Sequence, residues 1–118
     1  MFAAHHKLSN LIAFTDANGY QIDGAVDEIC SVAPLDKKWQ AFGWNVQTVD
    51  GHDVNAIDSA ITTAKTCRNG KPTMIILNTI KGKGVSFIEA AKAANHNMNL
   101  SKEQVEAALK ELEAETNV

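Results

Sequence analysis

Apolar positions along the chain follow two alternating periods. Leu11, Ile12, Ala13 and Phe14 form a short apolar run that meets Asp16-Ala17-Asn18-Gly19, which reads as a strand entering a loop. From Leu35 the spacing changes: Leu35, Lys38, Trp39 and Phe42 recur at three and four, a helix opened by Pro34 with Gly43 in the left-handed cap position. Trp44 to Val49 then alternates apolar with polar, a strand with one better-buried face, and stops at Asp50-Gly51. Asp53 is placed to cap a helix with Val54, Ile57, Ile61 and Ala64 along one stripe, ended by Asn69-Gly70 before Pro72. Thr73 to Ile80 is almost unbroken in apolar and β-branched residues, the pattern of a parallel strand covered on both faces. Lys81-Gly82-Lys83-Gly84 follows as a loop, and a last helix begins at Ser101, where Gln104 completes a capping box and Val105, Leu109 and Leu112 line one side. Two pieces are less regular. Phe2, Ala3, Ala4 and Leu8 read as the final turns of a packed helix, and Asp27 to Ala33 is a short apolar-acidic segment ending at Pro34.

Strand, helix, strand, helix, strand in this order predicts an α/β fold with a mainly parallel sheet and flanking helices. Ligands of such sheets bind beyond the carboxyl ends of the strands, so the junction after Phe14 is where chemistry is expected. Asn18 places an amide oxygen there, beside the bare carbonyls around Gly19. Magnesium and similar hard divalent cations accept such oxygens together with phosphate oxygens. A plain Asn-Gly turn is the competing reading of the same two residues.

Composition narrows the classes. With 118 residues and 45% apolar side chains, the expectation is one domain over residues 1–118. Eleven basic against 14 acidic side chains leave a charge of -3, no footprint for nucleic acid or an anionic membrane. Lys81-Gly82-Lys83 is the one basic cluster, suited to one or two phosphates rather than to a polyanion. Cys30 and Cys67 lack metal-ligand spacing and read as reduced thiols of a cytoplasmic protein. No apolar stretch reaches the length of a membrane span, and Met1 to Lys7 lacks the apolar core of a secretory signal. No Gly-x-Gly-x-x-Gly or Walker loop is present, which argues against a generic nucleotide-binding domain.

Taken together, four ordered segments resemble the thiamine-diphosphate-binding domain of transketolases, most closely its short N-terminal subunit type. They are Ala3 to Ala13 running into Asp16-Ala17-Asn18-Gly19-Tyr20-Gln21-Ile22-Asp23-Gly24; Trp39-Gln40-Ala41-Phe42-Gly43-Trp44; Asp50-Gly51-His52-Asp53; and Thr79-Ile80-Lys81-Gly82-Lys83-Gly84-Val85. The resemblance implies a thiamine-diphosphate-binding-like fold that lacks its first strand-helix units. It further implies a divalent ion, Mg2+ or alternatively Ca2+ or Mn2+, held by the Asn18 side chain, the Tyr20 main-chain carbonyl and the Asp of an upstream Gly-Asp-Gly. No Gly-Asp-Gly occurs in these 118 residues. Lys81 or Lys83 would face the diphosphate, with a solvated loop charge as the alternative for each. His96 stands close to the family's histidine that contacts diphosphate and substrate and is the candidate catalytic residue. Its neighbours Asn95 and Asn97 depart from the family's Trp-His-Gly, so a surface histidine is the alternative. His5 and His6 read as helix surface, and His52 as a turn residue.

Also absent is a candidate for the glutamate that activates the aminopyrimidine ring, which the family takes from another domain or subunit. The resemblance therefore implies two-carbon ketol transfer between sugar phosphates only in an assembly. A complementary transketolase subunit or domain would supply the pyrimidine-binding part, in a homo- or hetero-oligomer, with no activity from this chain alone. Two other readings stand beside it: a 1-deoxyxylulose-5-phosphate synthase-like fragment, which the segment around Trp39 disfavours, and a non-catalytic α/β interaction module derived from a thiamine enzyme.

Overall fold

In the computed structural model, which describes residues 1–116, the elements follow in the order α1 (Phe2–His5), β1 (Ile12–Ala17), β2 (Tyr20–Gln21), β3 (Gly24–Ala25), α2 (Val26–Ile29), α3 (Leu35–Ala41), β4 (Asn45–Asp50), α4 (Val54–Thr66), β5 (Thr73–Asn78), α5 (Ser86–Ala91), a 3-10 helix (Lys92–Asn97) and α6 (Lys102–Thr116). They group into two units, one made of Met1–Asn18 with Val32–Thr79, the other of Gly19–Ser31 with the chain from Ile80 onward.

The first unit holds a three-stranded sheet in the order β1-β5-β4, both pairs parallel. The most apolar strand takes the middle, because only there are both of its faces and both of its edges covered. Thr73 to Ile76 are buried, and Ile75 is fully enclosed. Met74, Ile76 and Trp44 form a cluster on one face, joined by Val46, by Ala3 and Ala4 of α1, and by Leu35 and Trp39 of α3. The Trp39 and Trp44 rings meet edge-on with centroids 5.0 Å apart, a favoured aromatic geometry. Gln47 follows Val46 on β4 and so points to the opposite face. There its Nε2 donates to the Ala60 carbonyl of α4 at 3.0 Å, and Ala60 and Ala64 are buried. Their small side chains let α4 sit close to the strands.

Local rules account for the helix boundaries of this unit, with one exception. Asp53 Oδ1 accepts from the main-chain N–H groups of Asn55 and Ala56 at 2.9 and 3.0 Å, capping α4 as its position indicates. Gly43 has φ 87°, the conformation that ends α3. The exception is that α4 stops at Thr66, short of the expected Asn69-Gly70. Asn69 is engaged elsewhere: its carboxamide and that of Asn45 exchange hydrogen bonds of 3.0 and 2.8 Å, tying the loop to the start of β4. A tertiary contact thus overrides the local stop signal.

The second unit contains a hairpin of two residues per strand, Tyr20 opposite Ala25 and Gln21 opposite Gly24, too short for any periodicity to reveal. The stretch between Gly84 and Ser101, where the sequence pattern indicates no element, forms α5 and the 3-10 helix. The capping box is in place: Ser101 N donates to Gln104 Oε1 at 2.9 Å and Gln104 N to Ser101 Oγ at 3.2 Å. The stripe of α6 is less buried than its spacing suggests, with Val105, Leu109 and Leu112 at 42%, 53% and 41% exposure and Ala108 buried. The helix is fastened by Glu111, whose carboxylate accepts from the Ser86 main-chain N–H and hydroxyl at the start of α5. These hydrogen bonds, the main-chain one first, hold the Glu111 carboxyl below its ordinary range. Hydrogen bonding by Ser101 does the same for Glu103. No helix among the described residues is long and apolar enough to cross a membrane.

Candidate functional site

Parallel pairing in register delivers the three strands to one edge together. Ala17 of β1, Asn78 of β5 and Asp50 of β4 lie side by side, so Asn18, Thr79 and Gly51 are the next residues out. The ladder continues one step beyond β4, with Gly51 N donating to the Asn78 carbonyl at 2.8 Å. A Cβ on Gly51 would overlap Thr79 Cγ2 and stand 3.0 Å from Leu77 Cβ and 3.1 Å from Asn78 O. Only glycine admits this approach. Asp50 Oδ1 then accepts from His52 N at 2.8 Å, and the chain turns into the Asp53 cap, so His52 occupies a turn.

A polar chain crosses the edge from β5 to β1. The Thr79 hydroxyl donates to Asp16 Oδ1, and Asn18 Nδ2 donates to Asp16 Oδ2 at 3.0 Å. An ionised carboxylate can only accept, so the nitrogen end of the Asn18 amide is the one turned toward Asp16. Its oxygen, the donor a hard cation takes, lies on the opposite side of the carboxamide. Asn18 is half-buried, which limits the directions open to it. Asp16 escaped the sequence reading as a site residue; the signal was its place two residues before Asn18, where both side chains leave the same face of an extended strand.

The chemistry of these donors suits a particular kind of ion. They are hard oxygens, and no three His, Cys, Asp or Glu side chains among the described residues gather into a metal cage. A carboxamide oxygen on a sheet edge matches magnesium, which keeps water and phosphate oxygens and takes few protein ligands. On that ground the residues fit a cation bridged to a diphosphate.

Tyr20, Lys81 and His96 belong to the second unit. Tyr20 lies in β2, and Val26 N closes the hairpin on the Gly19 carbonyl at 2.9 Å. Both hairpin strands pack against the 3-10 helix that carries His96, whose side chain is exposed. Asn95, beside it, donates to the Ile88 carbonyl at 2.9 Å and to the Lys81 carbonyl at 3.5 Å, fastening the lysine loop to the same helix. Lys81 is half-buried and Lys83 exposed. A Cβ on Gly82 would overlap Ile88 and come within 3.2 Å of Asn95 Nδ2, so packing against α5 already requires this glycine. The second unit therefore carries Tyr20, Lys81 and His96, and the first carries Asn18. His5 at the end of α1 and His6 just after it are exposed, their rings 4.9 Å apart and the His6 ring 4.1 Å from that of Phe2.

Comparison with known proteins adds an independent line. Residues 1–117 match the family model described as transketolase, thiamine diphosphate binding domain. The chain is 56% identical over 115 residues to the 6-deoxy-6-sulfo-D-fructose transketolase subunit SqwG of Clostridium sp. (strain MSTE9), covering 98% of this chain and 41% of that protein. It is 42% identical over 113 residues to an apulose-4-phosphate transketolase subunit of Actinobacillus succinogenes, covering 96% of this chain and 40% of the relative. It thus spans about two fifths of the length of these relatives. Among solved structures, the transketolase of Campylobacter jejuni superposes with TM-score 0.84 at 29% identity, over 95% of this chain and 17% of that one. The sheet edge that presents Asn18, with the matched model and these relatives, shows that the chain belongs to the transketolase family, within its N-terminal thiamine-diphosphate-binding domain.

Proposed function

We propose that this chain is the cofactor-holding part of a split transketolase, in which both units form one partial thiamine-diphosphate-binding domain. In this reading Asn18 Oδ1 and the Tyr20 carbonyl are ligands of a divalent ion, Mg2+ foremost. Lys81 adds positive charge toward the diphosphate, and His96 contacts diphosphate and substrate. The carbanion chemistry of ketol transfer is supplied by thiamine diphosphate when it is bound. The residues of this chain orient the diphosphate through its cation and hold charge and a hydrogen-bond donor near the reacting sugar. The observation that carries the reading is the Asn18 amide, set at the aligned carboxyl ends of three parallel strands with its nitrogen turned to Asp16.

The substrates proposed are ketoses with an anionic group at the far end. One relative is named for a sulfo-sugar and another for a sugar phosphate. The partner is a complementary subunit that brings the pyrimidine-binding part and the activating glutamate, and the assembly is cytoplasmic. The test mixes the chain with transketolase subunits carrying that complementary part and follows ketol transfer at varied Mg2+. Activity that needs both chains and disappears in N18A supports the reading. Folded mixtures with no transfer from any partner favour the second reading, a non-catalytic α/β module.

A further inference from the structure

We propose that Asp16 is a positioning residue that selects the orientation of the Asn18 carboxamide, so that Oδ1 rather than Nδ2 faces the cation. The inference rests on the reading of Asn18 as a metal ligand. A carboxamide is nearly symmetric in shape, and its terminal torsion is broad and roughly two-fold. Turning it over exchanges an acceptor for a donor, which no cation binds. Sterics alone do not choose between the two, but a carboxylate does, because it pairs with the nitrogen end and repels the oxygen end.

Asp16 meets the requirements of such a selector. Its Oδ2 takes the Asn18 Nδ2 proton at 3.0 Å. Its Oδ1 is occupied by the Thr79 hydroxyl from the neighbouring strand, which stops the carboxylate from turning away. Thr79 is placed by in-register pairing of Ala17 with Asn78 and by the backbone of Gly51 pressed against it. The orientation of one amide is thereby set by the ends of all three strands. The same arrangement predicts how substitutions differ. In D16N the new side chain offers oxygen to Asn18 and nitrogen to Thr79, whose hydroxyl accepts as readily as it donates. Orientation survives while the charge is lost. D16A removes both.

The first measurement uses the full chain, isotope-labelled and without cofactor, and reads solvent exchange of the Asn18 side-chain NH2 protons by NMR. D16A is expected to speed that exchange roughly three- to tenfold, the range of one net hydrogen bond lost at an exposed site, with D16N within about twofold of wild type. T79V shifts it the same way by about twofold and serves if D16A does not fold. Unchanged exchange in D16A and T79V, or equal acceleration in D16A and D16N, overturns the proposal. The second measurement is the Mg2+ concentration for half-maximal ketol transfer in the assembly with its partner. It should rise roughly tenfold in D16A and stay near wild type in D16N. An unchanged requirement in D16A overturns the proposal. A wild-type assembly indifferent to Mg2+ overturns the ligand reading itself, and the exchange data then show separately whether Asp16 orients the amide.

Discussion

Adding one methyl group at Gly51 tests whether the sheet edge is as tightly built as its distances imply. In G51A the new Cβ would overlap Thr79 Cγ2 and lie 3.0 Å from Leu77 Cβ and 3.1 Å from the Asn78 carbonyl. Thr79 can turn away only by giving up its hydrogen bond to Asp16. The other two atoms are fixed to β5 and cannot evade the methyl by a rotamer change, so the main chain must shift. Overpacking of this kind costs about 1–3 kcal/mol. Gly51 has no positive φ, so alanine also stabilises by about 0.4–1 kcal/mol by restricting the unfolded chain. The balance is a loss of about 1–2 kcal/mol, or roughly 5 °C in melting temperature for a chain of this size. Urea and thermal unfolding of wild type, G51A, T79S and the double mutant measure it. T79S keeps the hydroxyl and removes the overlapping methyl, so it should recover part of the loss, with a coupling of about 0.5–1 kcal/mol. A G51A protein at least as stable as wild type, or a cycle without coupling, would refute the reasoning.

Three further outcomes are expected. D53A removes the acceptor shared by Asn55 and Ala56 N–H, and its urea midpoint should fall by the equivalent of about 1 kcal/mol, while an equal midpoint contradicts the cap. Glu111 has its carboxyl lowered by hydrogen bonds from Ser86, so its contribution is fully present above the ordinary glutamate range near about 4.3 and is lost as pH falls through the lowered folded value. Acid titration of stability should therefore be shallower in S86A than in wild type at the acid end, and parallel curves would rule the contact out. Calorimetric titration of the chain alone with thiamine diphosphate and Mg2+ should show weak or no binding, since a carboxamide and a carbonyl are the only ligands proposed within it. Tight, Mg2+-dependent binding would count against that ligand set.

The elements that could be read in advance are those whose signals are local and redundant. Met74 to Leu77 is an unbroken apolar run within β5, so burial on both faces there needs no knowledge of its neighbours. Asp53 and the pair Ser101 and Gln104 act within one helical turn, and all three cap as read. The β2–β3 hairpin and the 3-10 helix had no such signal. Two residues per strand cannot show a period, and Lys92–Asn97 carries no repeating apolar face. Val105, Leu109 and Leu112 do have the spacing of a stripe, yet each is at least 41% exposed and Ala108 is the buried residue among them. Asn18, Tyr20, Lys81 and His96 are proposed for the site from ordered resemblance, while the hydrogen bonds that Asp16 receives from Asn18 and Thr79 had no local signal.

What the amino-acid order alone determined is the alternation of helix and strand, the burial of the central strand, and the placement of Asn18 just past a strand end. These follow from periodicity and capping, which act over a few residues. The tertiary structure alone decided that Ala17, Asn78 and Asp50 finish level, that Gly51 must accept contact with Thr79, and that Asp16 receives a hydroxyl from one side and the Asn18 amide from the other. The Asp16 and Thr79 partners lie 63 residues apart in the chain. Only parallel pairing in a specific register brings groups that distant within hydrogen-bonding range, and no local pattern encodes that register.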